Sequence, residues 1–370
     1  MNQPIFHASS FAQELLKPPE IKSPLEILNP NSPYKHYVLG RNAHALSAIK
    51  NLRIDGVIDD FAPLNSVWAG LPVCSMNQVD SNSLVINCSL SISPLSAHDR
   101  LTKLIGERAI TFGKILREQP SFPLPDFVAE MRNSLIQHGQ QWEWLFNLLA
   151  DDESKLNLLK ILRFRLTGEI SYMQGFTVQF ANQYFDPIIQ TTPQEIYVDC
   201  GGYDGDTALE FSKRYPHYSK IFVFEPSQEN FLKAQKRLSN LKDCHIQAFG
   251  ISDRADTLYF DAHSASASAV SKTGSTKIAV DTLDTLVQEK VTFIKMDIEG
   301  WELPALKGAA GHILKDHPKL AIAAYHQTND FWEIPKFVLG LRSDYKVYLR
   351  HYSEGWSESV LYFIPSTNSM

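Results

Sequence analysis

Residues 196–211 read IYVDCGGYDGDTALEF. A short β-prone run ends in Asp199, glycines follow at 201, 202 and 205, and a helical stretch begins at about 207. In an open α/β sheet, ligands bind beyond the carboxyl ends of strands, near the point where strand order reverses. A strand that runs into a glycine turn and then a helix is the usual place. The charge in the turn then selects the ligand. A dinucleotide pyrophosphate needs free backbone N–H groups and the positive end of a helix. Here Asp204 and Asp206 stand where it would lie, and Asp199 guards the strand exit. S-adenosylmethionine has no phosphate, and its sulfonium and α-ammonium groups suit carboxylates. The spacing Asp199-x-Gly201-x-x-x-Gly205 is also not the dinucleotide pattern GxGxxG.

The next strand, KIFVFEP, ends in Glu225, 20 residues beyond Gly205. An acid at that distance is placed to accept hydrogen bonds from ribose hydroxyls. The expected cofactor residues are therefore Asp199, Gly201, Gly202, Gly205, Asp206 and Glu225, with Asp253 beyond the following strand. Each has a plainer role as well. Asp206 or Thr207 can cap the helix, with Thr207 and Glu210 forming a capping box, and Glu225 can be a solvated strand-end acid.

Further out, CHIQAFGI, TFIKMDI and KLAIAAY read as strands, with helical stretches between several of them. This alternation predicts an α/β fold with a mainly parallel sheet. YKVYLRHY and SVLYFIP predict an antiparallel finish. Residues 126–183 carry apolar residues at helical spacing, and residues 34–118 have the rhythm of a smaller Rossmann-like α/β domain. The Pro-rich stretch EQPSFPLPD, 118–126, is expected to mark a boundary. The predicted division is an N-terminal extension (1–33), the Rossmann-like domain (34–118), a helical connector (119–190) and the main domain (191–366). A chain starting near residue 120 is then expected to fold and bind the cofactor alone.

The chain has 370 residues, 44% hydrophobic and 21% charged, with a net charge of −6. That charge argues against a nucleic-acid partner, whose binding rests on Lys and Arg contacts to phosphate. No apolar run approaches the roughly 20 residues of a membrane span. Cys74, Cys88, Cys200 and Cys244 have neither CxxC nor metal-ligand spacing, so a disulfide framework is not expected. With no signal-peptide pattern at the N-terminus, a cytoplasmic location is expected.

The second informative stretch is TFIKMDIEGWELPALKGA, 292–309. Asp297, Glu299 and Glu302 crowd one strand exit. A solvated loop explains such a cluster, and so does a reaction site. In a helical turn Glu299 and Glu302 would share a face, although Glu302 as a first-turn acid favoured by the helix dipole is preferred. Trp301 suits a pocket wall or a packing position. His326 follows LAIAAY and stands at a strand end, where a neutral imidazole suits removal of a hydroxyl proton; His351 is a weaker candidate. His36, His44 and His98 belong to the first domain. The expected catalytic residues are Asp297, Glu299 and His326.

VDCGGYDGDTALEF, IFVFEPSQENF and above all IKMDIEGWELPALKGA resemble the FkbM family of S-adenosylmethionine-dependent methyltransferases, over about 184–364. YHQTNDFWEIP and YKVYLRHYSEGWSESVLYFIP resemble one branch of it. The resemblance implies a class I methyltransferase fold and methylation of a hydroxyl on a sugar, glycolipid or polyketide-like acceptor. It marks Asp199, Gly201, Gly205 and Glu225 as cofactor residues, and Asp297 and Glu299 as acids facing the reaction site. Residues 36–73 resemble the nucleotide-sugar-binding domains attached to some sugar acyltransferases, with Gly40 in a turn and Asp59 and Asp60 ending a strand. Packing or homo-oligomer formation suits that domain as well as ligand binding does.

The expected function is S-adenosylmethionine-dependent O-methyl transfer to a small-molecule or glycan acceptor. The rivals are a methyltransferase-like binding protein without turnover and a dinucleotide-dependent sugar-modifying enzyme using the first domain. Asp297 orients the acceptor and His326 takes its proton, or Asp297 and Glu299 hold a divalent ion such as magnesium. With so few well-placed acids, the metal-free arrangement is expected.

Overall fold

The computed structural model describes residues 6–17, 25–63, 65–260, 270–271 and 276–366. The chain forms two compact units. One gathers Met1–Glu143, Leu156–Val178 and Tyr352–Ser357; the other gathers Trp144–Lys155, Gln179–His351 and Glu358–Met370.

The first unit carries strands β1 (His36–Leu39), β2 (Gly56–Ile58), β3 (Val67–Trp68), β4 (Leu71–Cys74), β5 (Leu84–Asn87) and β6 (Ala109–Thr111). Their order is β3-β4-β2-β1-β5-β6, parallel throughout except for β3 on the edge. Helices α1 (Ala8–Leu15), α2 (Ala43–Asn51), α3 (Pro94–Ile105) and α4 (Phe112–Glu118) accompany them. Strand order reverses between β1 and β5, as in a Rossmann-like sheet. Gly40 makes the turn after β1 at φ +100°, and Asn42 caps α2 by accepting from the Ala45 N–H. The acids expected at the end of β2 are each held by an arginine: Arg41 pairs with Asp59 and Arg100 with Asp60, both at 2.5 Å.

The Pro-rich stretch lies inside this unit rather than between units. Phe122, Phe127, Val128, Phe164, Ile170 and Met173 are buried in the same core as Val38, Val57 and Ile86 of the strands. Phe127 also stacks on Trp356, at 6.0 Å and 18°. So the supposed connector supplies core residues, and the remote segment 352–357 returns to complete it. Of two long helices, α5 (Asp126–Leu148) is kinked at His138, and α6 is Asp152–Thr167. A chain starting at residue 120 keeps the apolar helices but loses the strands they cover. Such a fragment is expected to be aggregation-prone or partly unfolded. A soluble fragment with one cooperative thermal transition would contradict this.

The second unit holds β7 (Ile196–Cys200), α7 (Asp206–Arg214), β8 (Lys220–Phe224), α8 (Gln228–Arg237) and β9 (Cys244–Gln247). A small four-stranded sheet follows, made of β10 (Gly250–Ile251), β11 (Asp256–Phe260), β12 (Val270–Ser271) and β13 (Thr276–Asp281). Then come α9 (Leu283–Leu286), β14 (Phe293–Met296), α10 (Glu302–Gly308), α11 (Ala310–Asp316), β15 (Lys319–Ala323), α12 (Asp330–Leu341), β16 (Tyr345–His351) and β17 (Ser359–Pro365). The main sheet runs β16-β17-β15-β14-β7-β8-β9. Its strands are parallel from β9 to β15, and β17 lies antiparallel between β15 and β16. This is the class I methyltransferase arrangement that the resemblance implies.

The central strands are buried on both faces, so they read as continuous apolar runs. Tyr197 on β7 stacks against Phe211 of α7 at 4.1 Å between ring centroids and lies 5.1 Å from Phe293 of β14. Strand order reverses between β7 and β14, which opens a crevice at their carboxyl ends. No helix among the described residues is long and apolar enough to cross a membrane.

Candidate active site

A cavity of about 1140 Å³ opens at this reversal point. Its walls include Gly201, Tyr203 and Asp206 after β7, Glu225 after β8, Lys295, Asp297, Glu299 and Trp301 around the end of β14, and Phe180 and Tyr184 from the chain before β7. Single-ligand pockets hold roughly 300–1,000 Å³, so this one has room for a donor and an acceptor.

The glycine turn is tight for identifiable reasons. Gly201 sits at φ +79°, and a Cβ there would lie 1.9 Å from the Asp297 carbonyl oxygen. A Cβ on Gly202 would meet Val223 at 2.2 Å. Gly205, at φ +85°, is the N-cap of α7. Four of the turn's amides are already engaged. Those of Gly201 and Gly202 donate to the Phe224 carbonyl, Gly205 to the Gly202 carbonyl, and Tyr203 to Glu225 Oε2 at 2.9 Å. This is a poor cradle for phosphate.

Glu225 is 7% exposed. Its Oε1 accepts from the Ser227 N–H at 2.8 Å, so both oxygens are fixed by backbone while one edge faces the cavity. Burial raises its pKa, opposed by those two N–H bonds. Asp206 opens α7 and lines the cavity, its Oδ1 accepting from Thr207 N–H. The expected capping box does not form: Glu210 pairs with Arg214 at 2.8 Å instead. Asp204 is held by Arg237 at 2.5 Å. Asp253 lies beside Ser252 and Arg254 rather than among the cavity-lining residues.

Asp199 differs most from expectation. It is 0% exposed and faces Lys295 Nζ at 2.9 Å. Parallel register explains the pair, because β7 and β14 set Asp199 directly beside Lys295. Lys295 also donates to the Gly201 carbonyl at 2.7 Å, so the buried ion pair ties the glycine turn to the neighbouring strand. Burial opposes both charges and pushes the Asp199 carboxyl up. For Lys295 the effect of burial is outweighed by Asp199 and Asp297, which hold the lysine above its usual pKa. Asp199 thus reaches the cavity only through Lys295.

Asp297, Glu299 and His326 are brought together as expected. Asp297 Oδ2 accepts from the Tyr184 hydroxyl at 2.5 Å, and Oδ1 lies 3.5 Å from His326 Nε2. Glu299 Oε2 is 3.4 Å from the same nitrogen. On the other side of the ring, His326 Nδ1 contacts Glu302 Oε1 at 3.0 Å. Glu302 is the first residue of α10, fully buried, and also accepts from the Ile298 N–H. Glu299, at φ +59°, lies before the helix, so the two acids do not share a helical face. Burial alone would lower the His326 pKa. Glu302, Glu299 and Asp297 outweigh it and hold the ring well above the usual histidine value. These acids favour the protonated form of the ring, where the sequence suggested a neutral imidazole. Asp330, buried nearby, is pushed up to about 8 by burial and by Glu302. His351 is buried against Ser359 at 2.9 Å and does not line the cavity.

Two residues escaped the sequence reading. Lys295 carried a signal, since a lysine inside a four-residue buried strand needs a partner. Tyr184 carried none: it sits in a loop at φ +69°, 113 residues from Asp297 in sequence. Its amide donates to the Tyr362 hydroxyl, and Gln183 Nε2 donates to its hydroxyl, both at 3.0 Å. A non-glycine residue in that conformation persists where its surroundings over-determine it.

Residues 199–352 match the family model of the Methyltransferase FkbM domain. This part of the chain is a methyltransferase domain of the FkbM family. Among solved structures, the methyltransferase FkbM from Methylobacillus flagellatus KT aligns at a TM-score of 0.75 with 22% identity, covering 96% of this chain and 98% of that one. The whole two-unit chain therefore has a counterpart of the same fold. An rRNA methylase from Streptococcus thermophilus aligns at a TM-score of 0.33 and 15% identity, over 47% of this chain and 89% of that one. Aeropyrum pernix fibrillarin with bound S-adenosyl-L-methionine aligns at 0.31 and 10%, over 47% of this chain and 67% of that one. No curated protein matches the chain.

Proposed function

We propose that the second unit transfers a methyl group from S-adenosylmethionine to a hydroxyl of a sugar, glycolipid or related small molecule. One observation carries this reading. A single large cavity has Glu225 and an amide-satisfied glycine turn on one wall, and Asp297 beside a cluster of carboxylates on another. The first wall suits a ribose and a cationic amino-acid tail without phosphate. The second suits an acceptor hydroxyl.

In the reaction, the acceptor oxygen attacks the methyl carbon in line as the carbon–sulfur bond breaks. The electron pair of that bond goes to sulfur, which becomes a neutral thioether. The hydroxyl proton passes to Asp297, which Tyr184 orients from the opposite oxygen. Positioning supplies much of the rate because the donor is already activated. His326 lies between Asp297 and Glu299 and positions them rather than acting as the base.

Methyl transfer from labelled S-adenosylmethionine to a panel of sugars and glycolipids tests the reading. Labelled product at an oxygen atom is expected. If the donor binds but no hydroxyl acceptor is labelled, the O-methyl assignment fails, leaving a binding protein or another acceptor atom.

A further inference from the structure

We propose that Asp297, Glu299 and His326 form a site for one divalent first-row metal ion, such as Mn²⁺ or Zn²⁺, with Glu302 fixing the imidazole. The site's role in orienting the acceptor rests on the methyl-transfer reading above; the binding of the ion does not.

Two edges of a coordination sphere are already in place, both running to the imidazole. His326 Nε2 lies 3.5 Å from Asp297 Oδ1 and 3.4 Å from Glu299 Oε2. Ligands about 2.0–2.2 Å from a common ion stand roughly 3–3.5 Å from one another. Donor atoms of Asp297, Glu302 and His326 also fall within 4.8 Å of one another. The histidine is the second, independent sign. Its side chain is only 3% exposed, and Nε2 makes no directed hydrogen bond, although it is aimed at two carboxylates. A buried polar atom without a partner is unusual and calls for a ligand.

The surroundings have the form that metal sites use. A ligating histidine presents one nitrogen to the ion while the other ring nitrogen is held by a carboxylate. Here Nδ1 lies 3.0 Å from Glu302 Oε1, a contact that like those of Nε2 is not a directed hydrogen bond, and Glu302 is fully buried and itself fixed by the Ile298 N–H. Tyr184 fixes the remaining oxygen of Asp297. Three carboxylates around one imidazole leave negative charge that a dication neutralises, and as it binds Nε2 the ring's proton there is released to solvent. Mixed oxygen and imidazole donors suit manganese or zinc better than magnesium. Asp297 and Glu299 line the cavity, so an open coordination position would face the acceptor. An ion there would bind the acceptor hydroxyl and make it more acidic. This replaces the metal-free arrangement that the sequence suggested, because the sequence did not place Glu302 behind the ring.

The test uses the full chain, treated with chelator and titrated with Mn²⁺ alone. Calorimetry is expected to give one ion per chain, and pulsed electron paramagnetic resonance to show coupling to a histidine nitrogen. Glu302→Gln should weaken binding by about 10–100-fold, and His326→Gln should abolish the nitrogen coupling. Because those residues are buried, Glu299→Gln provides a safe variant; its side chain is 63% exposed, and it should weaken binding about tenfold or more, as expected for loss of a ligand. The proposal fails if neither Mn²⁺ nor Zn²⁺ binds the intact chain at millimolar concentration. It also fails if binding shows no nitrogen coupling, or is unchanged in Glu299→Gln. Ion binding without methyl transfer would keep the site and refute only its role in the reaction.

Discussion

Asp297→Asn is expected to lower methyl transfer by about 10²–10⁴-fold, the range attributed to a well-placed proton acceptor. Donor affinity should stay near that of the unaltered chain. Asp297 lies beyond the end of β14, with one oxygen fixed by Tyr184 and the other turned toward His326 and the cavity. Asparagine keeps the size and can still accept from Tyr184, but it carries no charge and takes no proton. Single-turnover rates with labelled donor, measured beside binding of S-adenosylhomocysteine, separate the two effects. Near-normal turnover in a folded Asp297→Asn chain would reduce the aspartate to a structural strand-end acid.

The second large effect concerns stability. Lys295→Met is expected to destabilise the chain by about 3–5 kcal/mol, because it leaves Asp199 buried and unpaired. Asp199 is 0% exposed, and Lys295 is its only ion-pair partner among the described residues. The lysine also holds the Gly201 carbonyl, so donor affinity should fall too. Replacing both groups, Asp199→Asn with Lys295→Met, should recover much of the loss, since removing a buried pair together is often nearly neutral. A denaturant double-mutant cycle measures the coupling. A mild single variant, or a double variant worse than the single, would mean that the pair does not hold the turn.

Much of the main sheet was legible because its signals are local. Apolar runs ending in Asp199, Glu225 and Asp297 each mark the carboxyl end of a parallel strand, and the glycine turn follows the first of them. The charges counted against phosphate read differently in the structure, since Asp199 is paired with Lys295 and Asp204 with Arg237, and the amides of Gly201, Gly202, Tyr203 and Gly205 are engaged instead. What the sequence hid depends on contacts between distant residues. Asp199 looked like a cavity residue until strand register set it against Lys295. Asp297 and Glu299 were expected near His326, but Glu302, read as a first-turn helix acid, turns out to stand behind the ring at Nδ1. Tyr184 enters the site from before the matched domain, by a loop whose shape no periodicity encodes. The boundary near 120 was drawn from prolines, whereas Phe122, Phe127 and Trp356 meet in one core for packing reasons.

The central claim is that the cavity at the end of β7 and β14 holds S-adenosylmethionine, with Glu225 on the ribose. Calorimetric titration of S-adenosylhomocysteine into the full chain and into Glu225→Ala tests it most directly, with circular dichroism to establish that the variant is folded. Loss of a charged hydrogen-bond acceptor is expected to cost about 1.5–3 kcal/mol of binding, roughly a 10- to 150-fold weaker affinity. Equal affinity in a folded variant, or no measurable binding by the unaltered chain, would contradict the account.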